Sequence, residues 1–199
     1  MYAIMCMVSA GGMMVTAQIE PMAQFFEVAD VVIPILGFMP TALVLAMFLD
    51  RTLNGLTRPF FGWISDHLGR ENTMFIAFTL EGFAILLLIK LAHIPVMFVL
   101  MTGLTFFAWG EIYSLFPAIC GDMFGKKYAT VNYGLLYTAK GTATLLVPLG
   151  NFLVKKTGSW WPIFVVIVLL DWCGALLVLF VLKPMCKRWI ENEAKQMDA

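Results

Sequence analysis

The sequence predicts an all-α integral membrane protein of six transmembrane helices, and three observations carry that prediction. Of its 199 residues 61% are hydrophobic and only 13% charged, against about 45–50% and about 25% in soluble domains. Six apolar windows, residues 1–18, 40–63, 73–89, 95–119, 128–154 and 160–182, take up most of the chain. Each is long enough to cross a core of ~30 Å at ~1.5 Å per residue. None resembles the alternating strands of ~10 residues that build a membrane barrel. Lys+Arg and Asp+Glu number 13 each, so the formal net charge is zero. That leaves no basic field to bind nucleic acid by counterion release, and no charge-rich tract of the disordered kind.

The first window lacks the positive start and polar cleavage context of a signal peptide and reads as a span. The stretch 19–39 after it holds Glu20, Pro21, Glu27, Asp30 and Pro34 without a single Lys or Arg, which suits an external loop. In the second window Arg51, Asn54 and Arg58 fall at i, i+3 and i+7 and share one helical face, next to Asp50. Pro59 follows Arg58, with Gly55 and Gly62 nearby, so this helix is weakened where it is charged and suits a gating element. Neighbours on a helix point apart, so an Asp50–Arg51 pair does not follow from adjacency alone.

The third window contains Glu81 and the sixth Asp171, neither with a partner that spacing assigns. In the fourth window Thr105, Trp109 and Tyr113 repeat every four residues, while Glu111 falls on the opposite face. The aromatic pair fits either a cavity wall or ordinary helix packing. In the fifth, Tyr133, Tyr137, Lys140 and Thr144 fall at i, i+4, i+7 and i+11, with Lys140 close to mid-span. Lys140 suits either a solute site or a structural bridge to Asp50, Glu81 or Glu111. Seven charged residues therefore lie within the spans, each costing at least ~2.5–3.5 kcal/mol near a helix centre. They point to a solute or ion pathway.

Basic residues orient the bundle. Arg70 in the second connection, Lys126 and Lys127 in the fourth, and Lys183, Lys187, Arg188 and Lys195 in the tail (183–199) make seven on one side. Lys90 in the third connection and Lys155 and Lys156 in the fifth make three on the other. Both termini are expected in the cytoplasm, and the protein in the cytoplasmic membrane. Cys6, Cys120, Cys173 and Cys186 show no CxxC or Cys/His spacing and read as packing residues or free thiols. No metal cluster, cofactor loop or nucleophile–base constellation is expected, so an enzyme is not.

The stretch Gly62-Trp-Ile-Ser-Asp66-His-Leu-Gly69-Arg70 resembles the G-x-x-x-D-x-x-G-R motif of the major facilitator superfamily. There it follows the second helix of a six-helix half; its glycines permit a tight cytoplasmic turn, and Asp66 and Arg70 are placed to bond across it. Asn54-Gly-Leu-Thr-Arg58-Pro-Phe-Phe-Gly62 and Phe106-Phe-Ala-Trp109-Gly-Glu-Ile-Tyr113-Ser-Leu-Phe-Pro117 resemble the eighth and tenth helices of its oxalate/formate antiporter family. Asp122-Met-Phe124-Gly125, Asn132-Tyr133-Gly134 and Tyr137-Thr-Ala-Lys140 resemble the approach to its eleventh helix.

The resemblance implies one six-helix half of that fold, a 3+3 inverted repeat, with substrate held at the interface to an N-terminal half in the same or a separate chain. It implies that Arg58 and Lys140 hold the carboxylates of a small anion boxed by Trp109 and Tyr113. Tyr137 replaces a Trp of the family's oxalate carriers, and Asp50-Arg51 is an added charge pair. Two other readings stand beside exchange of small carboxylates. One is a proton-coupled monocarboxylate symporter in which Asp50 or Glu111 carries the proton. The other is a non-transporting fragment or subunit of a membrane complex.

Overall fold

The computed structural model describes residues 1–125 and 127–189, and within them the chain is helical almost throughout. Helices α1 (Tyr2–Phe25), α2 (Ala42–Leu68) and α3 (Arg70–Leu91) are followed by α4 (Pro95–Trp109) and α5 (Ile112–Phe124), which together form one interrupted span. A second interrupted span comprises α6 (Ala129–Thr144) and α7 (Val147–Thr157), and α8 (Trp161–Leu177) passes through a π-helical turn at Val178–Leu182. The basic residues Lys126 and Lys195 lie outside the described residues.

Four helical segments are long and apolar enough to cross a membrane: α1, α3, α4–α5 and the one beginning with α8. The other two passes have identifiable reasons for falling short. The 27-residue α2 carries Asp50, Arg51, Arg58 and Asp66, and the α6–α7 pass is divided into pieces of 16 and 11 residues. That division corrects the expectation of one continuous helix over 128–154. Pro148 stands in the first turn of α7; it has no N–H to donate to the carbonyl four residues back, and its ring crowds that carbonyl. An apolar window registers neither effect.

The first connection differs too. Residues 19–25 are helical rather than loop, with Pro21 inside α1. An internal Pro costs a helix about 3 kcal/mol, and the fully buried Met22 and Ala23 just beyond it are the packing that offsets this. The shortened loop folds on itself through bridges Val32–Thr41 and Ile35–Phe38. Leu36 and Gly37 both take positive φ at its tip, as a two-residue hairpin turn requires.

The strongest packing pairs are α2 with α4, α3 with α8, α3 with α4, α1 with α6 and α1 with α8. Exchanging the first three passes with the last three maps this set onto itself: α2·α4 becomes α6·α1, α3·α4 becomes α8·α1, and α3·α8 is its own image. Three is odd, so a membrane-spanning unit of three repeats with inverted direction. Phe78, Phe98, Phe106, Phe116 and Phe164 fill the core between these helices, Phe78 stacking on Phe116 at 6.3 Å between centroids. Phe48, Leu56, Trp63, Leu169 and Phe180 are exposed, as lipid-facing side chains are.

Gly110, at the α4–α5 break, allows a close approach of α2. A Cβ there would overlap Thr57 Cγ2 and stand 2.7 Å from the Asn54 carbonyl oxygen. The Thr57 hydroxyl donates across the same contact to the Phe107 carbonyl. Because the obstacle is backbone, Gly110→Ala must push α2 and α4 apart. Overpacking of this kind costs about 1–3 kcal/mol. We expect a lower thermal unfolding midpoint in detergent; an unchanged midpoint would show that the contact tolerates a methyl group.

Candidate functional site

A cavity of about 730 Å³ lies between α1, α2, the α4–α5 break and α6–α7. The local helical patterns set its lining. Residues Arg51, Asn54 and Arg58 present their shared α2 face to it, joined by Asp50. From α6 come Tyr133, Tyr137, Lys140 and Thr144, the i, i+4, i+7, i+11 stripe, and from the broken span Trp109 and Tyr113.

At the centre is the Tyr113 ring, shared by two cations. The Arg58 guanidinium carbon lies 4.8 Å from its centroid and the Lys140 ammonium 5.0 Å, while the same ammonium lies 5.7 Å from the Tyr137 centroid. Trp109 meets Tyr113 edge-on at 5.4 Å and 88°, and Tyr137 packs against both Tyr113 and Tyr133. Cation–π contacts contribute roughly 0.5–2 kcal/mol depending on solvation, much less than an ion pair in a dry site. Among the described residues no carboxylate lies within 4.0 Å of Arg58 or Lys140. The side-chain hydrogen bond of Arg58 is to Asn54 Oδ1 of its own helix, at 3.3 Å. Lys140 is therefore not the structural bridge that the sequence left open.

Asp50 is buried and does pair with its neighbour, Arg51 Nε to Asp50 Oδ2 at 3.5 Å, while the Arg51 side chain stays 73% exposed. Glu111, in the α4–α5 break, is fully buried and absent from the cavity wall, away from Trp109 and Tyr113 as the spacing indicates. Thr105 departs from the repeat that groups it with Trp109 and Tyr113. It is fully buried and donates to the Met101 carbonyl at 2.9 Å. Sequence reasoning missed the α1 contribution of Met13, Thr16 and Ala17. These small or apolar residues in an apolar window carry no signal of their own.

At one end of the bundle the turn Gly62–Arg70 closes on ionic bonds. Gly69, at φ +86°, ends α2 and starts α3. Arg70 Nη1 donates to Asp66 Oδ1 at 2.7 Å and to Ser65 Oγ. Its Nε reaches Asp122 Oδ2, at the end of α5, at 3.3 Å. Arg70 thus ties three helices together, and Asp122 is the partner that no local motif identified. Cys6, Cys120, Cys173 and Cys186 are all free.

Comparison with known proteins fits this architecture. A family model described as Major Facilitator Superfamily matches residues 1–196. The chain is 30% identical over 151 residues to an oxalate:formate antiporter of Oxalobacter formigenes, an alignment covering 75% of this chain and 36% of that protein. It is 36% identical over 104 residues to an uncharacterized 38 kDa protein in a 23S RNA operon of Thermoproteus tenax, covering 52% of this chain and 26% of that one. The chain therefore spans about a third of the length of the antiporter it matches. A helical, polytopic membrane bundle with this match over nearly its whole length belongs to the major facilitator superfamily, a family of transporters.

Proposed function

We propose that the chain is the C-terminal six-helix half of a carrier that exchanges small carboxylates, of the oxalate/formate type. The observation carrying this reading is the pair of cations, Arg58 and Lys140, flanking one phenol ring with no carboxylate within 4.0 Å of either among the described residues. A charge near the bilayer centre costs ~2.5–3.5 kcal/mol on insertion scales; a bound dicarboxylate offsets that cost for both cations at once. Arg58 holds one carboxylate through its planar fork, Lys140 supplies a point charge to the other, and Trp109, Tyr113 and Tyr137 box the anion. An empty site leaves both cations unpaired, which disfavours the return stroke without cargo and makes exchange obligatory. Alternating access follows from rocking this bundle against an N-terminal half, in the same or a separate chain, around the fixed site. The 30% identity to the antiporter supports the anion class.

The distribution of basic residues orients the carrier with both termini and the Gly62–Arg70 turn at the cytoplasmic face of the cytoplasmic membrane. Counterflow of labelled oxalate in liposomes holding this chain with a six-helix partner tests the reading. Trans-stimulation by unlabelled oxalate or formate is expected; uptake indifferent to internal anion would sink obligatory exchange. Proton-coupled monocarboxylate symport is favoured by one observation, the placement of Asp50 in the cavity wall beside Arg51. Glu111, off the wall, does not serve that reading. Uptake that rises with external acidification and needs no counter-anion would select it.

The latch gives a separate expectation. Asp66→Asn removes the charge that pairs with Arg70 at 2.7 Å while leaving the mid-membrane cavity intact. Half-exposed pairs of this kind contribute about 0.2–1 kcal/mol, enough to bias a conformational equilibrium without unfolding the bundle. Transport should slow while oxalate affinity, measured by calorimetry, holds. Weakened binding with an unchanged cycling rate would contradict a gating role.

A further inference from the structure

Behind the anion cavity lies a second polar feature that exchange does not use. Glu81 of α3 and Asp171 of α8 are both fully buried, and among the described residues none of their four carboxyl oxygens has a hydrogen-bond partner. They converge on one side of α1 at Gly11: a Cβ at that position would stand 2.8 Å from Glu81 Oε1 and 2.9 Å from Asp171 Oδ1. The glycine leaves room between two carboxyls that any side chain would fill. Glu111, from the α4–α5 break, is a third buried and unpartnered carboxyl within Coulombic range of Glu81.

No counter-charge faces this group. Among the described residues no Lys, Arg or His lies within 4.0 Å of Glu81, Asp171 or Glu111. Of the helices packed on the pair, α1 carries only Glu20, exposed near its far end, α4 has no charged residue, and Lys155 and Lys156 of α7 are exposed in its last turn. The charges of α2 lie in the anion cavity or at the Gly62–Arg70 turn, and Asp122 of α5 belongs to the Arg70 latch. Two carboxylates so placed repel each other and have lost their water. A shared proton removes one of the two charges and gives the oxygens a hydrogen bond.

We propose that Glu81 and Asp171, converging on Gly11, form a proton-binding site in the core of the bundle, and that α1 couples it to the anion cavity. The pair takes one proton from water and returns it to water, passing between a singly charged and a doubly charged state. Coupling rests on the exchange reading above and on the construction of α1. Gly11 faces the carboxyls, a Cβ at Gly12 would overlap the Trp109 indole, and Met13, Thr16 and Ala17 line the cavity. A shift of this one helix changes both environments.

Infrared spectroscopy of the chain in lipid nanodiscs, titrated from acid to alkaline pH, reads the proton directly. We expect a protonated-carboxyl absorption at neutral pH that Glu81→Gln and Asp171→Asn each remove or shift and Glu20→Gln leaves alone. No such band, or one indifferent to both core variants, would overturn the site. Should neither variant fold, Gly11→Ala pushes a methyl between the carboxyls and must move the same band; an unmoved band is equally fatal. Added oxalate should change the band in the unmodified chain. Oxalate that binds by calorimetry without touching it overturns the coupling. Absence of oxalate binding overturns the anion reading and the coupling with it, while the pH titration still decides the proton site.

Discussion

Lys140→Gln should abolish carboxylate exchange while leaving membrane insertion intact, and Arg58→Lys should fail as well. The two substitutions probe different physics. Glutamine in place of Lys140 keeps most of the length and the hydrogen-bonding capacity but loses the charge that lies 5.0 Å from the Tyr113 centroid. In a site shielded from water a lost ionic partner costs about 3–5 kcal/mol, which is a factor of roughly 150 to 5,000 in affinity. Arg58→Lys keeps the charge and loses the fork: an ammonium cannot grip both oxygens of a carboxylate in one plane. It also loses the flat stacking of the guanidinium on Tyr113, 4.8 Å away. The readout is counterflow in liposomes with a partner bundle present, beside a control for protein inserted. Normal exchange by both variants would remove Arg58 and Lys140 from the site, and with them the dicarboxylate assignment.

The cavity is largely legible in the sequence because its determinants are local. Helical spacing alone places Arg51, Asn54 and Arg58 on one face and Tyr133, Tyr137, Lys140 and Thr144 on another, and both faces line the cavity. Spacing assigns a face but not how far along it the cavity reaches: Thr105, one turn before Trp109 on α4, is buried in the core and does not line the cavity. Residues Met13, Thr16 and Ala17 are invisible because apolar and small side chains in an apolar window look like any other lipid or core contact. The carboxyl pair shows a different limit. Glu81 and Asp171 are ninety residues apart in the chain, and only the packing of α3 on α8 brings them together. Gly11 is the third element of that site, and in an apolar helix a glycine reads as neutral. Likewise Asp66 and Arg70 declare themselves by motif, whereas Asp122 joins them only because α5 ends beside the turn.

Purified without a partner bundle, the chain should form mixed oligomers in detergent and should not catalyse exchange. The reason is the face that α2 and α6 present. Arg58 and Thr144 are exposed there, and Tyr137 is 41% exposed. The side chain of Arg51 is 73% exposed. On the same face of α2, one turn before Arg51, Met47 is exposed too, so the surface is neither a lipid face nor a water face. Against lipid tails each exposed cation costs ~2.5–3.5 kcal/mol or more; against detergent the apolar residues seek other protein. A second bundle that covers this face and closes the cavity relieves both. Co-expression with an N-terminal six-helix half should therefore give a single species by light scattering. In that complex, with Cys6 and Cys173 replaced, a thiol introduced by Thr144→Cys should be shielded from aqueous reagents once oxalate binds. A monodisperse, monomeric chain that exchanges oxalate in liposomes by itself would overturn the half-carrier reading, because the cavity would then have to open and close within six helices.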